Sequence, residues 1–292
     1  MSNRMAASDS AISVIGLGLM GTALTQRLHD HGWRVHVWNR TPSKATPLLT
    51  MGAAWCDRPL TATTRVIVSL YSSDVVEEVL APWMDDISAE TIVIDTTTGS
   101  PESSERLAEQ VSKAGGVYLD APISGSSEQT RRGEATVMVA GSLSAFERCR
   151  DLWDVLSTHC FHVGRSGNAA RTKLVSNLIL GLNRVAAAEG LLFAEALGLD
   201  LDTTLRVLRA SPASSRQLET KGPKMIAGDL TPQARLSQHL KDVRLMLAAA
   251  DKQHVSLRLT DTHRQLLEEA EALGHGAHDN SAIFQAMREM TE

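Results

Sequence analysis

The chain has 292 residues, of which 43% are hydrophobic, and this is enough for one large domain or two ordinary domains with well-buried cores. Its formal net charge of -5 is mild and its acidic and basic residues are interspersed, so we expect no broad positive field that would bind nucleic acid. Only three cysteines are present, without the spacing of metal ligands, which argues against a disulfide framework and favours a reducing, cytoplasmic location.

The first half of the chain alternates predicted strands and helices. A short β-branched run begins at Ala11, and it is followed by a glycine turn and by a helical pattern that stops at Gly32. Further strands are predicted over residues 33–39, 65–70, 91–98, 115–124 and 134–141, with helices over 42–52 and 74–84. This alternation is typical of an α/β fold with a parallel sheet that is buried on both faces.

The second half is predicted to be almost entirely helical after about Gly164. Its longest helix covers residues 168–197, and further helices are predicted over residues 202–210, 238–252, 261–273 and 281–290. Residues 211–237, which separate two of these helices, are polar and include prolines, so a long loop is predicted there. The longest apolar stretch, residues 174–199, is interrupted by asparagine, arginine and glutamate, and we expect no membrane span.

Three glycines stand at the spacing G-x-G-x-x-G between the first predicted strand and the first predicted helix. Without a Cβ atom, Gly16, Gly18 and Gly21 permit a tight turn, a close approach of the backbone to a pyrophosphate, and close packing of helix on strand. The start of the helix adds N–H groups and the positive end of the helix dipole. The motif alone is weak, but this position predicts a dinucleotide site. The intervening residues belong to the same predicted site: Leu17, Leu19 and Met20.

The residues after the second predicted strand bear on the choice of cofactor. An acidic side chain here would accept hydrogen bonds from the ribose hydroxyls of NAD(H), but the chain has Asn39, Arg40 and Thr41. A guanidinium can bind a 2′-phosphate through charge-assisted hydrogen bonds, and asparagine and threonine can donate to it. The sequence therefore favours NADP(H) over NAD(H), and the alternative is an arginine that only faces solvent on a turn.

Two polar residues at the start of the long helix are candidates for proton transfer. Lys173 and Asn177 are four residues apart, so they share one face of that helix. A reductase that adds hydride to a carbonyl carbon needs a nearby acid to protonate the oxygen. Spacing alone leaves two interpretations open, a catalytic lysine or a solvated surface pair.

Six motifs occur in the order and at the intervals typical of one enzyme family. They are GLGLMG, VWNRT, DTTTGSP, DAPISGS, GNAARTKLVSN and HLKDVRLML, and they extend from about Ile12 to Phe284. The chain thereby resembles the β-hydroxyacid dehydrogenases, the relatives of 3-hydroxyisobutyrate dehydrogenase. Within that family it looks most like the NADPH-dependent glyoxylate and succinic semialdehyde reductases.

The resemblance implies a Rossmann-like NADP-binding domain over residues 11–165, with a parallel-sheet core. It implies an all-helical domain for substrate binding and dimerisation over residues 166–292, with the active site in the cleft between the two domains. The implied reaction is the NADPH-dependent reduction of a small carboxylate-bearing aldehyde to the hydroxy acid, by a cytoplasmic homodimer or homotetramer. The resemblance implies no metal, nucleic acid or membrane as a partner.

The resemblance also implies roles for individual residues. Lys173 matches the catalytic lysine that donates the proton in reduction, and Asn177 matches the residue that fixes both substrate and lysine. Ser124 matches the loop that receives the substrate carboxylate, and the resemblance places it among the catalytic residues as well. Further substrate contacts are implied for Gly125, Ser126 and Asp242, and further cofactor contacts for Leu70, Thr98 and Lys241.

Departures from the family pattern leave alternatives open. Ser126 stands where many relatives carry a second glycine, and Ala234 stands where the semialdehyde reductases carry a bulky aromatic residue, so a larger pocket is expected. One alternative is a 3-hydroxyisobutyrate-type dehydrogenase, a second is an imine reductase, although those relatives generally lack the lysine, and a third is a non-catalytic NADPH-binding protein. His275 and His278 lack further ligands at suitable spacing, so a polar loop is favoured over a metal site.

Overall fold

The computed structural model describes residues 10–291. The chain forms two units, and the division between them falls between Lys173 and Leu174. The first unit contains a β-sheet with helices, whereas residues 174–291 of the second unit contain helices and no strand. The predictions of an α/β first half and a helical second half are confirmed.

The described part of the first unit has nine strands. They are β1 (Ala11–Ile15), β2 (Arg34–Trp38), β3 (Ala54–Trp55), β4 (Arg65–Val68), β5 (Ile92–Asp95), β6 (Val117–Asp120), β7 (Ile123–Ser124), β8 (Thr136–Gly141) and β9 (His159–His162). The helices are α1 (Leu19–Asp30), α2 (Thr46–Met51), α3 (Pro59–Ala62), α4 (Ser73–Leu80), α5 (Pro101–Lys113), α6 (Ser127–Arg132), α7 (Leu143–Arg148) and α8 (Arg150–Leu156). Short 3-10 helices occupy Pro42–Ala45 and Ala81–Asp86. A ninth helix, α9 (Asn168–Ala196), begins in this unit and continues into the second.

The strands form one sheet in the order β3-β2-β1-β4-β5-β6-β8-β7, with β9 paired to β8. All neighbours from β3 to β6 are parallel, whereas β6 and β7 pair with β8 in the antiparallel direction. The chain builds outward from β1 to β3 and then returns to β4 on the other side of β1, so the strand order reverses between β1 and β4. Parallel α/β sheets bind ligands at the carboxyl ends of strands beside such a reversal.

Both faces of this sheet are covered by helices, as the nearly continuous apolar runs of its strands require. One face packs against Leu24 of α1 and Trp153 of α8, and the other packs against Val76 of α4 and Leu107 of α5. The central strands between these layers are fully buried, as Ile67 of β4 illustrates. The core therefore holds the carboxyl ends of β1, β2, β4 and β5 at one edge of the sheet.

Two strands of the first unit, the two-residue β3 and the longer β9, are absent from the prediction. The β pattern ends at residue 141 in the sequence, but β9 forms at His159–His162 and pairs in parallel with β8. Its sequence, HCFH, has no continuous apolar run, and His159 and Phe161 are exposed. The main-chain pairing with β8 rather than side-chain burial accounts for this strand.

The second unit continues α9 and adds five helices within the described residues. They are α10 (Leu201–Ala210), α11 (Arg216–Ala227), α12 (Leu236–Lys252), α13 (Arg258–Ala272) and α14 (Ile283–Glu289), with 3-10 helices at His275–Ala277 and Asn280–Ala282. Their apolar core includes Leu191 of α9, Leu240 of α12, Leu267 of α13 and Phe284 of α14. The long helix predicted over residues 168–197 is confirmed to within one residue.

The prediction of a long loop over residues 211–237 is wrong. Helix α11 lies within it, with Ser215 as N-cap accepting from the Leu218 N–H, and with Pro223 inside the helix. A Gly-Pro pair breaks most helices, but here Leu218 and Met225 are buried, and a Cβ at Gly222 would lie 2.7 Å from Leu205 of α10. Tertiary packing therefore stabilises a helix that the local sequence does not predict.

By length and composition alone, helix α9 is long and apolar enough to cross a membrane, which leaves the expectation of no membrane span untested. The central helix of a globular enzyme passes the same test. Buried side chains of α9, among them Ala188 and Leu191, lie in the apolar core of the second unit. The polar interruptions are few enough, and spaced widely enough, that the helix remains apolar over most of its length.

A buried charged pair stands within the second unit. Lys221 Nζ donates to both carboxylate oxygens of Asp279, at 2.8 and 3.0 Å, and Asp279 also accepts from the N–H groups of Gln233, Ala234 and Ser281 at 2.9, 3.2 and 3.1 Å. Burial alone would raise the pKa of Asp279, but Lys221 and the main-chain donors hold it below its ordinary value. The pair thus joins α11 to the segment between the two 3-10 helices that precede α14.

Candidate active site

The glycine turn between β1 and α1 has a different constraint at each glycine. Gly16 has a φ of 96°, and a Cβ there would lie 2.3 Å from the Ser69 carbonyl oxygen. A Cβ at Gly21 would lie 1.9 Å from the carbonyl oxygen of Gly16, so α1 packs directly on the turn. Gly18 is the N-cap of α1, and its Cβ position has no such neighbour within 4 Å. Open space therefore adjoins the helix N-terminus, where N–H groups can bind a phosphate.

Asn39 connects the glycine turn to the end of β2. Its Oδ1 accepts from the Leu17 N–H at 2.9 Å, and its Nδ2 donates to the Thr41 carbonyl oxygen at 2.9 Å. The Gly16 N–H donates to the Trp38 carbonyl oxygen, also at 2.9 Å. Asn39 therefore shapes the turn itself, a role that sequence reasoning did not assign to it. The feature of the sequence that could have indicated this role is the place of Asn39 directly after β2, which is parallel to β1.

Arg40 lies at the surface next to this turn. Its side chain is 70% exposed, and its Nη1 is 3.5 Å from Oε1 of Glu78, whose side chain is 66% exposed. An ion pair this long and this solvated contributes little free energy, so the guanidinium can exchange it for a stronger anionic partner. The exposure agrees with both interpretations of Arg40, a ligand for a 2′-phosphate and a solvent-facing turn residue.

Leu70 and Thr98, two of the expected cofactor contacts, follow neighbouring strands at the same edge of the sheet. The Leu70 N–H donates to Oγ1 of Thr97 at 3.0 Å, and the Leu70 side chain comes within 2.8 Å of the Cβ position of Gly16. Thr98 is half-buried between β5 and α5. The carboxyl ends of β1, β4 and β5 thus bring these segments together beside the glycine turn.

The loop expected to receive a substrate carboxylate begins at Ser124, the last residue of β7. Gly125 follows, and Ser126 is the N-cap of α6. Ser126 and Gln129 form a capping box: the Ser126 side chain accepts from the Gln129 N–H at 3.2 Å, and Gln129 Oε1 accepts from the Ser126 N–H at 2.9 Å. The N–H of Ser126 is therefore engaged with Gln129, which the sequence motif did not reveal.

Lys173 and Asn177 are both buried, with 6% and 5% exposure. Asn177 Nδ2 donates to Oδ2 of Asp242 at 2.9 Å, and Lys241 Nζ is 3.1 Å from Oδ1 of Asp242. The second unit thereby brings Asn177, Lys241 and Asp242 into one polar cluster, and Lys173 precedes Asn177 by one turn of α9. Burial contradicts the interpretation of a solvated surface pair, while the catalytic role stays a prediction.

The two histidines near the end of the chain contact each other and an acidic residue. Nδ1 of His275 and Nδ1 of His278 are 3.2 Å apart, and Nε2 of His275 is 3.2 Å from Oε2 of Glu289. Within residues 10–291, no group of three or more His, Cys, Asp or Glu residues is arranged to hold a metal ion.

Comparison with known proteins assigns both halves of the chain to dehydrogenase models. Residues 11–164 match the NAD binding domain of 6-phosphogluconate dehydrogenase, and residues 167–287 match the NAD-binding domain of NADP-dependent 3-hydroxyisobutyrate dehydrogenase. The crystal structure of 3-hydroxyisobutyrate dehydrogenase from Salmonella typhimurium has the same fold, with a TM-score of 0.87 and 24% identity, over 95% of this chain and 99% of that one.

Relatives of similar length are named as reductases. Glyoxylate/succinic semialdehyde reductase 1 of Arabidopsis thaliana is 31% identical over 95% of this chain and 98% of its own length. The 2-hydroxy-3-oxopropionate reductase of Escherichia coli is 34% identical over 96% and 97%. The cytokine-like nuclear factor N-PAC of Anopheles gambiae is 29% identical over 97% of this chain, which spans 51% of that longer protein.

The agreement of fold, family models and relatives extends over nearly the whole chain. The relatives of matching length are named as reductases of carbonyl compounds, both family models are of NAD-binding dehydrogenase domains, and the chain is an NAD(P)-dependent oxidoreductase that acts on CH–OH or carbonyl groups. It belongs to the β-hydroxyacid dehydrogenase family.

Proposed function

We propose that the protein reduces a small carboxylate-bearing aldehyde, such as glyoxylate or succinic semialdehyde, to the hydroxy acid with NADPH. The observation that supports this most is the burial of Lys173 one turn before Asn177, whose amide is fixed by Asp242. Burying a lysine ammonium costs free energy, because its charge loses contact with water. A role in proton donation to the carbonyl oxygen accounts for a lysine at this buried position.

The chemistry divides between the cofactor and the side chains of the chain. When bound, NADPH would supply the hydride to the aldehyde carbon. The Lys173 ammonium donates a proton to the carbonyl oxygen, and its charge stabilises the alkoxide that develops there. Asn177, held by Asp242, orients the substrate and the lysine. We propose that residues 11–165 bind the cofactor and that residues 166–292 serve substrate binding and dimerisation.

The carboxylate of the substrate is proposed to bind at the loop that begins with Ser124. The Ser124 hydroxyl and the main chain at Gly125 are its first candidates as donors, because the N–H of Ser126 already donates to Gln129. The N–H of Ser126 joins the site only if the carboxylate displaces the Gln129 side chain. Ala234, the other departure from the family pattern, supports a preference for a substrate larger than glyoxylate.

The cofactor is proposed to be NADP(H), bound at the glycine turn and at the segment from Asn39 to Thr41. The amide of Asn39 is committed in part to Leu17 and Thr41, so Arg40 carries most of the proposed contact to the 2′-phosphate. Lys241 is proposed as a further contact to the bound cofactor.

Replacing Arg40 with alanine is expected to lower kcat/KM for NADPH by about tenfold to a hundredfold, because charge-assisted hydrogen bonds contribute about that much to binding. The kcat/KM for NADH should stay nearly unchanged. Initial rates with both cofactors at a fixed aldehyde concentration measure this. Arg148→Ala is the matched control, because Arg148 is also an exposed arginine paired with a glutamate, Glu90 at 3.2 Å. Equal losses with NADPH and NADH in Arg40→Ala would refute the 2′-phosphate contact.

The assembly is proposed to be a homodimer or homotetramer of a cytoplasmic enzyme, formed through the helical unit. Helix α9 exposes large apolar side chains, among them Val175, Ile179 and Phe193, and Leu197 directly after the helix is also exposed. Exposed apolar patches of this kind are typical of surfaces that bind another protein.

A substrate panel tests the proposed activity. We expect rapid NADPH oxidation with succinic semialdehyde, glyoxylate or 2-hydroxy-3-oxopropionate, and little with a cyclic imine. The family model over residues 167–287 favours 3-hydroxyisobutyrate as a second candidate, so the reverse reaction with 3-hydroxyisobutyrate and NADP+ belongs in the panel. Binding of NADPH without turnover of any compound would overturn the proposal in favour of a non-catalytic role, and turnover of the imine alone would favour an imine reductase.

A further inference from the structure

A buried carboxylate stands at the start of the helix that carries Lys173. Asp120 ends β6, is 1% exposed, and accepts from the Ala170 N–H at 2.9 Å through Oδ2. The N–H of Gly167 and the hydroxyl of Ser104 also form hydrogen bonds with its carboxylate. The first N–H groups of a helix have no helical carbonyl within reach, so Asp120 supplies acceptors to α9 from a different part of the sequence.

The charge of this carboxylate is not favoured by its surroundings. Burial raises the pKa of Asp120 to about 7, and the nearby carboxylate of Asp95 adds to that effect, while the N–H groups of Ala170 and Gly167 oppose it. Burial, Asp95 and Asp120 in turn hold the pKa of Tyr118 well above its ordinary value, and the Tyr118 hydroxyl donates to Asp95 at 2.8 Å. Because the folded protein raises this pKa, ionisation of Asp120 lowers the stability of the fold as the pH rises from the ordinary aspartate value of 3.8 to about 7, and the loss stays constant at higher pH.

Asparagine has nearly the same shape and would avoid that loss of stability. A carboxylate, however, offers two acceptor oxygens to two main-chain N–H groups and a negative charge to the positive end of α9. These properties fix the first turn of the helix. Lys173 follows Ala170 by three residues, about 4.5 Å along the helix axis, so its place depends directly on that turn.

We propose that Asp120 is a positioning residue that fixes the first turn of α9 and thereby the location of the Lys173 ammonium. The inference rests on the proposed role of Lys173 as proton donor. Asp120 itself touches neither substrate nor cofactor in this proposal. It acts through the main chain of α9, and a small displacement of an acid that must meet one oxygen atom lowers the rate strongly.

The test compares Asp120→Ala and Asp120→Asn with the wild type. The readouts are kcat and KM for the aldehyde, the Kd for NADPH, hydrogen–deuterium exchange of the segment 165–176, and Tm at pH 8. We expect Asp120→Ala to lower kcat roughly tenfold to a hundredfold, with little change in the Kd for NADPH, and to speed exchange at the start of α9. Asp120→Asn keeps one acceptor oxygen, so its kcat should be intermediate, while its Tm at pH 8 should equal or exceed that of the wild type.

A second aspartate in the chain provides the matched control. Asp200 caps α10 by accepting from the Thr203 N–H at 2.8 Å, but it is exposed and α10 carries none of the proposed site residues. Asp200→Ala and Asp200→Asn should speed exchange at the start of α10 and leave kcat at the wild-type value. The control therefore distinguishes the effect of removing a helix cap in general from the effect of displacing Lys173.

The outcomes distinguish this inference from the activity on which it rests. Slow turnover with faster exchange in Asp120→Ala, and a slow but fully stable Asp120→Asn, would support the positioning role. If Lys173→Ala is inactive but both Asp120 variants turn over like the wild type, the positioning role is refuted and the proposed function stands. If the wild type or Lys173→Ala shows that the lysine has no part in turnover, the proposed mechanism fails, and the positioning role fails with it whatever the exchange data show.

Discussion

Replacing Lys173 with alanine should lower kcat for aldehyde reduction by roughly a hundredfold to ten-thousandfold, the usual contribution of a general acid. The alanine variant removes both the proton donor and the positive charge that stabilises the developing alkoxide. The Kd for NADPH should change by less than about threefold, since the expected cofactor contacts are made by the glycine turn, Arg40 and Lys241. Steady-state rates and a fluorescence titration with NADPH measure the two effects separately.

Arg171→Ala is the control for this experiment. Arg171 is a cation two residues earlier on α9, but its side chain is 45% exposed and pairs with Glu105 at 2.9 Å. Its removal should leave kcat within about twofold of the wild type, as expected for a solvated ion pair. Wild-type turnover in Lys173→Ala, or an equal loss in Arg171→Ala, would contradict the assignment of Lys173 as the proton donor.

Replacing Lys221 with methionine should lower the free energy of unfolding by about 3–5 kcal/mol, the cost of removing one partner from a buried ion pair. Asp279, whose side chain is fully buried, would keep its main-chain donors but lose the cation that compensates its charge. Denaturant unfolding monitored by circular dichroism measures the change.

The same helix contains the control residue. Lys224 of α11 pairs with Asp229 at 2.6 Å, but the Asp229 side chain is 47% exposed, so Lys224→Met should cost less than about 1 kcal/mol. If the two lysine variants lose the same stability, the special contribution of the buried pair is refuted. A double variant, Lys221→Met with Asp279→Asn, should recover part of the loss, because the buried carboxylate that Lys221→Met leaves without its lysine is then replaced by a neutral amide.

The α/β half of the fold was predictable because its signals are local. Strands such as β4 and β5 are short apolar runs between breakers, and burial on both faces makes those runs continuous. The glycine turn was predictable for the same reason, since Gly16 and Gly21 are each required by an atom of the turn or of the adjacent strand. Elements whose stability depends on distant partners were missed, as β9 and α11 illustrate.

The polar contacts of the site show a similar limit. The spacing of Lys173 and Asn177 placed them on one face, but the spacing reveals neither their burial nor the hydrogen bond from Asn177 to Asp242, 65 residues away. The Lys221–Asp279 pair was hidden for the same reason, because its partners are 58 residues apart and Lys221 lies in the segment predicted as loop. Neither partner alone carries a sequence signal.

Transfer of deuterium from NADPH deuterated at nicotinamide C4 to succinic semialdehyde tests the central claim most directly. The product, isolated from the wild-type reaction and analysed by NMR, should carry one deuterium on the former aldehyde carbon, and Lys173→Ala should form the same labelled product far more slowly. Failure to form a labelled product with any aldehyde of the panel, despite binding of NADPH, would contradict the assignment as a carbonyl reductase.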